Sequence, residues 1–215
     1  MNWISLIDGP SAAIVLGGTA LATVLRCGLG DCRVTVLRLA RLQQSRFDAE
    51  ATRAELAAQV QDIRRDGLYR ATPHHFADSE FEEATGALLE RRSLGALLER
   101  HAAHKARRLA QAERAMRTLA QAAELAPVFG LAGTLISLSQ LPADGLARGA
   151  FTGAIAMAVT TTLYGLLLAN LVFAPLARVV ERNAQAEEDA RQQVIDWLAG
   201  QIGDALPPRR AERAA

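Results

Sequence analysis

The residues best placed to do chemistry in this chain are hydroxyls set in long apolar stretches. Thr134 closes the run Ala126-Pro127-Val128-Phe129-Gly130-Leu131-Ala132-Gly133-Thr134, which continues as Leu135-Ile136. Thr160, Thr161 and Thr162 interrupt a second run that goes on as Leu163-Tyr164-Gly165. Three consecutive residues sweep roughly 200° of a helix, so at least one of these threonines faces something other than lipid. Each hydroxyl has a plain structural use, bonding the carbonyl four residues back. Clustered hydroxyls at membrane depth also mark pathways for water or a cation. Both uses stay open for Thr134, Thr161 and Thr162 on these grounds.

Other candidates carry less. Cys27 and Cys32 follow the first apolar run on its reducing side and read as free structural thiols. His101 and His104 share a helix face at i,i+3 and could hold zinc with a third ligand. Arg100, Lys105, Arg107 and Arg108 surround them, so the pair is expected to be a solvated surface pair and no metal site is assigned. His74-His75 lie beside Pro73 in a loop-forming stretch and suggest nothing specific. Gly28-Leu29-Gly30 follows an apolar helix and not a strand, so it is no phosphate-cradling loop. No nucleophile–base set is visible, and the chain reads as a non-enzyme without a cofactor. Its 24 Lys+Arg against 23 Asp+Glu leave a net charge of +1, which argues against a nucleic-acid partner.

The distribution of charge shows which elements position the hydroxyls. Residues 1–25 hold one charged side chain, Asp8, and residues 125–177 hold two, Asp144 and Arg148. A charge at mid-bilayer costs roughly 2.5–3.5 kcal/mol, so stretches this free of charge are what a lipid core selects. A soluble helix needs a polar face, and these segments have none. Three spans follow, at 9–25, 125–141 and 149–175, the lipid bilayer being their surrounding. The first lacks the basic residues that precede a signal peptide's apolar core. Arg26, Arg33, Arg38 and Arg41 follow it instead, which places the N-terminus outside and residues 26–124 in the cytoplasm. Arg178, Arg182, Arg191, Arg209 and Arg210 agree with a C-terminus inside. The exported loop at 142–149 carries one Arg.

Residues 26–124 read as helical. Val34, Leu37, Leu42, Leu56, Val60 and Ile63 recur at helical spacing. Asp66-Gly67 and Thr72-Pro73 break that pattern, a second helix starts near Asp78-Ser79, and a third starts after Ser93 and runs toward Pro127. Residues 176–204 form a charged amphipathic helix, and Pro207-Pro208 opens a disordered tail. The expected fold is an all-α integral membrane protein with three transmembrane helices and a helical cytoplasmic domain between the first and second. Its segments are 1–25, 26–124, 125–177 and 178–215.

These strings resemble the MotA/TolQ/ExbB proton-channel family. Ala126-Pro127…Phe129-Gly130…Gly133-Thr134-Leu135-Ile136 and Thr161-Thr162-Leu163-Tyr164-Gly165…Ala169-Asn170…Pro175-Leu176-Ala177 are most similar to its flagellar-stator branch. Ile7-Asp8…Ser11…Ile14-Val15-Leu16-Gly17-Gly18-Thr19 resembles the second membrane helix of stator A subunits, and Arg64-Arg65-Asp66-Gly67-Leu68 resembles a stretch of their cytoplasmic domain. The resemblance implies a bacterial inner-membrane protein that forms a ring of five identical subunits. The ring surrounds a dimer of a single-span MotB/ExbD-like partner that carries an essential aspartate. It implies that protons or sodium ions pass Thr134, Thr161, Thr162 and Tyr164, and that Pro127 and Pro175 mark helix distortions coupled to movement. Gly130, Gly133, Gly165 and Ala169 would then be the helix-packing positions, as small residues in membrane helices generally are. Arg64, Arg65 and Arg70 would meet a flagellar rotor protein as a further partner.

Two features depart from the flagellar branch. Its A subunits have four membrane helices, whereas three are read here, the number found in TolQ/ExbB proteins. Ala71-Thr72 also stand where that branch has a Leu-Glu pair. A TolQ/ExbB-like energiser of envelope transport is therefore the alternative reading. A non-conducting membrane scaffold is the alternative from another class.

Overall fold

A computed structural model describes residues 8–42, 47–67, 70–71, 74–141 and 148–203. The expected turn at Pro142–Gly145, Thr72-Pro73 and the tail from Pro207 lie outside these residues. Every regular element among them is helical: α1 (Gly9–Ala12), α2 (Gly18–Arg41), α3 (Ala49–Asp66), α4 (Ser79–Arg91), α5 (Leu94–Ser139), α6 (Arg148–Leu167) and α7 (Ala174–Gly203). Two π-helical turns, Ala13–Gly17 and Leu168–Phe173, join α1 to α2 and α6 to α7. Three helical stretches are long and apolar enough to cross a membrane: Gly9–Arg41, Leu94–Ser139 and Phe151–Gly203. Each outruns its expected span, because leaving lipid does not by itself end a helix. The first passes Arg26 and bends at Gly28, whose φ of 84° and ψ of 157° interrupt α2. Only glycine reaches that conformation without strain.

The chain forms two compact units, 1–44 with 111–183 and 45–110 with 184–215. These differ from the membrane-topology segments in a consistent way. Residues 26–42 and 111–124 belong with the spans, whereas 184–203 belong with the helical unit.

The first unit holds few large buried side chains. Ala115, Leu119 and Val180 form a small cluster with Leu39, Leu42, Phe173 and Leu176 against it. Arg38 Nη2 donates to Gln111 Oε1 at 2.9 Å. Much of its apolar surface points outward, including Leu21, Leu135 and Leu171, each more than 60% exposed. A soluble monomer does not sustain surface of this kind.

The second unit has a conventional core. Leu56, Val60 and Ile63 of α3, Phe81, Ala84 and Leu88 of α4, Leu97 of α5, and Val194, Ile195, Leu198 and Ile202 of α7 are buried together. Each large side chain among them contributes about 1.5–3 kcal/mol on burial. Their spacings of three, four and seven residues give each helix one apolar stripe. Asp48 caps α3 by accepting from the amides of Glu50 and Ala51 at 3.0 Å. Asp78 caps α4 through the Glu80 amide at 2.9 Å. Helix α3 ends at Gly67 with φ 76°, and α4 ends at Arg92, a non-glycine residue at φ 51°.

Candidate functional site

Helices α5 and α6 meet where their side chains are smallest. A Cβ built on Gly165 would lie 2.6 Å from the Ala126 carbonyl oxygen and 3.1 Å from the Gly130 Cα. One on Gly130 would lie 3.0 Å from the Thr161 carbonyl oxygen. One on Gly133 would lie 2.7 Å from the Thr161 Cβ. The two backbones therefore touch across Gly130 and Gly165, and Thr161 fills the space that Gly133 leaves. Ala169, 5% exposed, lies in the second π turn. A glycine also seats the first helix, here against a side chain, since a Cβ on Gly18 would collide with the Phe129 ring. Close backbone approach, as between α5 and α6, is how helices gain contact energy where lipid removes the hydrophobic drive.

The hydroxyls divide between two environments. Thr161 is fully buried inside the hairpin, whereas Thr134 and Thr162 are half-buried. Each donates to its own helix: Thr134 Oγ1 to the Leu131 carbonyl at 2.6 Å, and Thr161 and Thr162 to the Ala158 carbonyl at 3.0 and 3.1 Å. A hydroxyl so bonded keeps its lone pairs, so it can still accept from water or coordinate a cation. Tyr164 has a tertiary partner, its Oη accepting from the Asp8 amide at 3.0 Å. Asp8 in turn caps α1, its carboxylate receiving the Ser11 amide at 3.0 Å and the Ser11 hydroxyl. The only charged side chain of residues 1–25 thus starts the first helix beside the third span. The lone Asp-Gly-Pro-Ser at the head of an apolar run is the sequence signal for this cap, and sequence reasoning on the spans alone passes over it.

Pro127 lies within α5, with helix on both sides. Pro175 follows the π turn Leu168–Phe173. Proline clashes with the carbonyl four residues earlier, here Leu171, and widening the preceding turn to π relieves that clash. The distortion therefore falls upstream of Pro175, beside an open cleft of about 570 Å³ lined by Asn170, Pro175, Arg178 and Arg182 among others. Arg64, Arg65 and Arg70 are exposed in the other unit, and Arg64 Nη2 donates to Gln201 Oε1 at 2.7 Å. Thr72 and the Asp66 side chain lie outside the described residues.

Residues 71–193 match the sequence profile of the MotA/TolQ/ExbB proton channel family. The chain belongs to this family. Among its relatives, Motility protein A of Cereibacter sphaeroides is 27% identical over 90% of this chain and 77% of its own length. Motility protein A of Borreliella burgdorferi is 39% identical over 38% of this chain and 32% of its own. Chemotaxis protein PomA of Vibrio alginolyticus is 34% identical over 40% of this chain and 34% of its own. The fold is similar to that of C. jejuni MotAB, with a TM-score of 0.82 over 97% of this chain and 83% of that one at 18% identity. It is likewise similar to the flagellar MotAB stator complex from Bacillus subtilis, with a TM-score of 0.80 over 94% and 81% at 18% identity.

This MotA/TolQ/ExbB-family chain is a multi-pass inner-membrane protein of the MotA/PomA-like kind, carried by its three long apolar helices. Its helical unit corrects one expectation. His101 and His104 are buried, 7% and 4% exposed, and not a solvated pair. Beside them lies a set of desolvated charges that sequence reasoning misses. Arg108 is bidentate to Glu188, Nε to Oε1 at 2.5 Å and Nη2 to Oε2 at 3.0 Å, and its Nη1 meets Glu80. Arg191 meets Asp78 at 2.7 Å and Glu187 at 3.0 Å, and its guanidinium lies 4.3 Å over the Phe47 ring. The neighbouring arginines suggest solvent. Burial follows instead because α4 and α7 bring carboxylates that neutralise them.

Proposed function

We propose that this chain is the ion-conducting A-type subunit of an inner-membrane stator complex, converting the flow of protons or sodium ions into mechanical work in the manner of a flagellar motor. The observation that carries the reading is the chemistry of its spans. Residues 125–141 and 149–177 offer threonines, a tyrosine and small residues, but no Asp, Glu, His, Lys or Arg. An ionisable relay group for a proton or ion therefore has to come from outside these two spans. We assign that role to a MotB/ExbD-like single-span partner, present as a dimer within a ring of five copies of this chain. In this assignment Thr134, Thr161, Thr162 and Tyr164 border the ion path, and Pro127 and Pro175 couple ion release to helix movement. Gly130, Gly133, Gly165 and Ala169 set the packing of the ring-forming helices. Segments 1–25 and 125–177 cross the membrane with the N-terminus outside, and 26–124 and 178–215 are cytoplasmic.

Thr→Val keeps the side-chain shape and removes the hydroxyl. The double Thr134→Val, Thr161→Val complex, reconstituted in vesicles, should assemble normally and lose most of its ion flux. Flux equal to wild type would remove the hydroxyls from the path. The energiser reading rests on the three membrane-crossing helices and makes a different demand. In a motor, reversing Arg64 and Arg70 to Glu together should strongly reduce rotor engagement, because exposed charges steer docking. In an energiser the same reversal leaves partner-dependent activity near normal. Cells lacking this protein that swim normally but show envelope or uptake defects would decide for the energiser.

A further inference from the structure

We propose that His101 makes the helical unit acid-sensitive: proton uptake at its buried imidazole favours a locally opened arrangement of α4, α5 and α7 in which the imidazolium meets water. His101 is 7% exposed, and its Nε2 is buried without a hydrogen-bond partner among the described residues. The Phe81 ring of α4 lies 6.5 Å from the imidazole, centroid to centroid. From α7, Glu188 favours the charged imidazole and Arg191 opposes it, while Gln192 favours it through a hydrogen bond. From its own helix, Lys105 opposes the charge. Glu188, the carboxylate that could stabilise an imidazolium there, is already held in a bidentate pair by Arg108. A proton on His101 in the closed unit is therefore a desolvated charge with no free counter-ion among the described residues. Opening relieves it.

His104, one turn further along α5, has a different environment. Arg107 donates to its Nδ1 at 2.8 Å, which leaves the ring proton on Nε2, 3.1 Å from Glu83 Oε2, with Glu80 3.9 Å from Nδ1. The two imidazoles are similarly buried and the Nε2 of each lacks a hydrogen-bond partner among the described residues, but His104 has carboxylates of Glu83 and Glu80 within 4 Å and Arg107 on its Nδ1.

The sign follows from burial. Desolvation, the largest influence, pushes the His101 pKa below the ordinary 6.5. The opened or unfolded unit binds the proton more readily, so this contribution to stability is fully present above about pH 6.5 and falls as pH drops below it. The proposal concerns the helical unit alone and stands whether or not the chain conducts ions. In a proton-conducting complex, such a device would sense the acidity of the compartment that receives the protons.

Hydrogen exchange of the full-length protein in lipid nanodiscs, corrected for intrinsic rates, tests it. Protection of α4 and of residues 184–203 should fall by at least about threefold between pH 7.5 and pH 5.5. His101→Gln should flatten that dependence, and His104→Gln should keep it. A flat wild-type profile, or a His101→Gln protein with the wild-type slope, overturns the proposal. Should His101→Gln fail to fold, a side-chain NMR titration of the wild-type protein decides: the His101 imidazole should titrate below the ordinary 6.5. A His101 midpoint at or above the ordinary value overturns it.

Discussion

The two compact units bury opposite materials. In the unit that holds the spans, glycines let backbone approach backbone, Gly165 on Ala126 and Gly130 on Thr161. In the helical unit the tightest polar contacts are charge on charge, Arg108 with Glu188 and Glu80, and Arg191 with Asp78. The difference reflects the solvent outside each. Lipid is as apolar as a leucine side chain, so helices there gain by excluding side chains and bringing backbones close. Water rewards a leucine core, and a large core can then carry a few paired charges that specify how its helices align. A glycine therefore means something different in each unit, and so does an arginine.

Removing one partner from the charge cluster should have the largest effect. Arg108→Met leaves Glu188, 6% exposed, without its bidentate partner and should destabilise the helical unit by about 3–5 kcal/mol. Replacing Arg108 and Glu188 together by apolar residues should recover part of that loss, as read by denaturant unfolding. A single variant as stable as wild type would mean that the cluster is decoration.

Next comes the backbone contact. Gly165→Ala forces a methyl group to 2.6 Å from a carbonyl and should cost about 1–3 kcal/mol, visible as a lower melting temperature in detergent. An unchanged melting point would show that α5 and α6 separate without penalty and would break the comparison.

Two smaller changes probe the helical unit, where glycine is not required by contact. Arg92 adopts φ 51° at the end of α4, and Arg92→Gly should raise stability by about 1 kcal/mol by removing left-handed strain. Gly86 lies inside α4, and a methyl group added there would meet nothing within 4 Å. Gly86→Ala should therefore stabilise by roughly 0.5–1 kcal/mol, the opposite sign to Gly165→Ala. Thermal melts of the two alanine variants side by side would sharpen the contrast most directly.

Most helices are legible in the sequence because their signals are local. Asp78 stands at a capping position, Gly67 stands at a C-terminus, and the apolar residues of α3 and α4 repeat at helical spacing. The three charge-poor stretches mark the spans in the same way. The apolar spacing from Val34 to Ile63 reads as one pattern, however, and the structure divides it, α2 ending at Arg41 and α3 starting behind the Asp48 cap. What the charge pattern does not supply is the length of each helix beyond lipid, since α2 runs unbroken in sequence past Arg26, where the charge-poor stretch ends, as far as Arg41. The state of His101 and His104 is equally invisible. Their neighbours in sequence are basic and suggest a wet surface, but their neighbours in space are Phe81, Glu80 and Glu188, which come from other helices.

The sequence by itself determined that this protein is helical, that it crosses the membrane, and that its second and third spans lack any carboxylate of their own. Those properties follow from composition and period, which act within a single segment. The tertiary structure alone decided which small residues meet, why Thr161 is sealed while Thr134 is not, and which charges are dry. It also decided that Asp8 is tied to Tyr164 across 156 positions of chain. Such facts depend on the approach of distant helices, and desolvation is a property of what surrounds an atom, not of the residue types on either side of it in the chain.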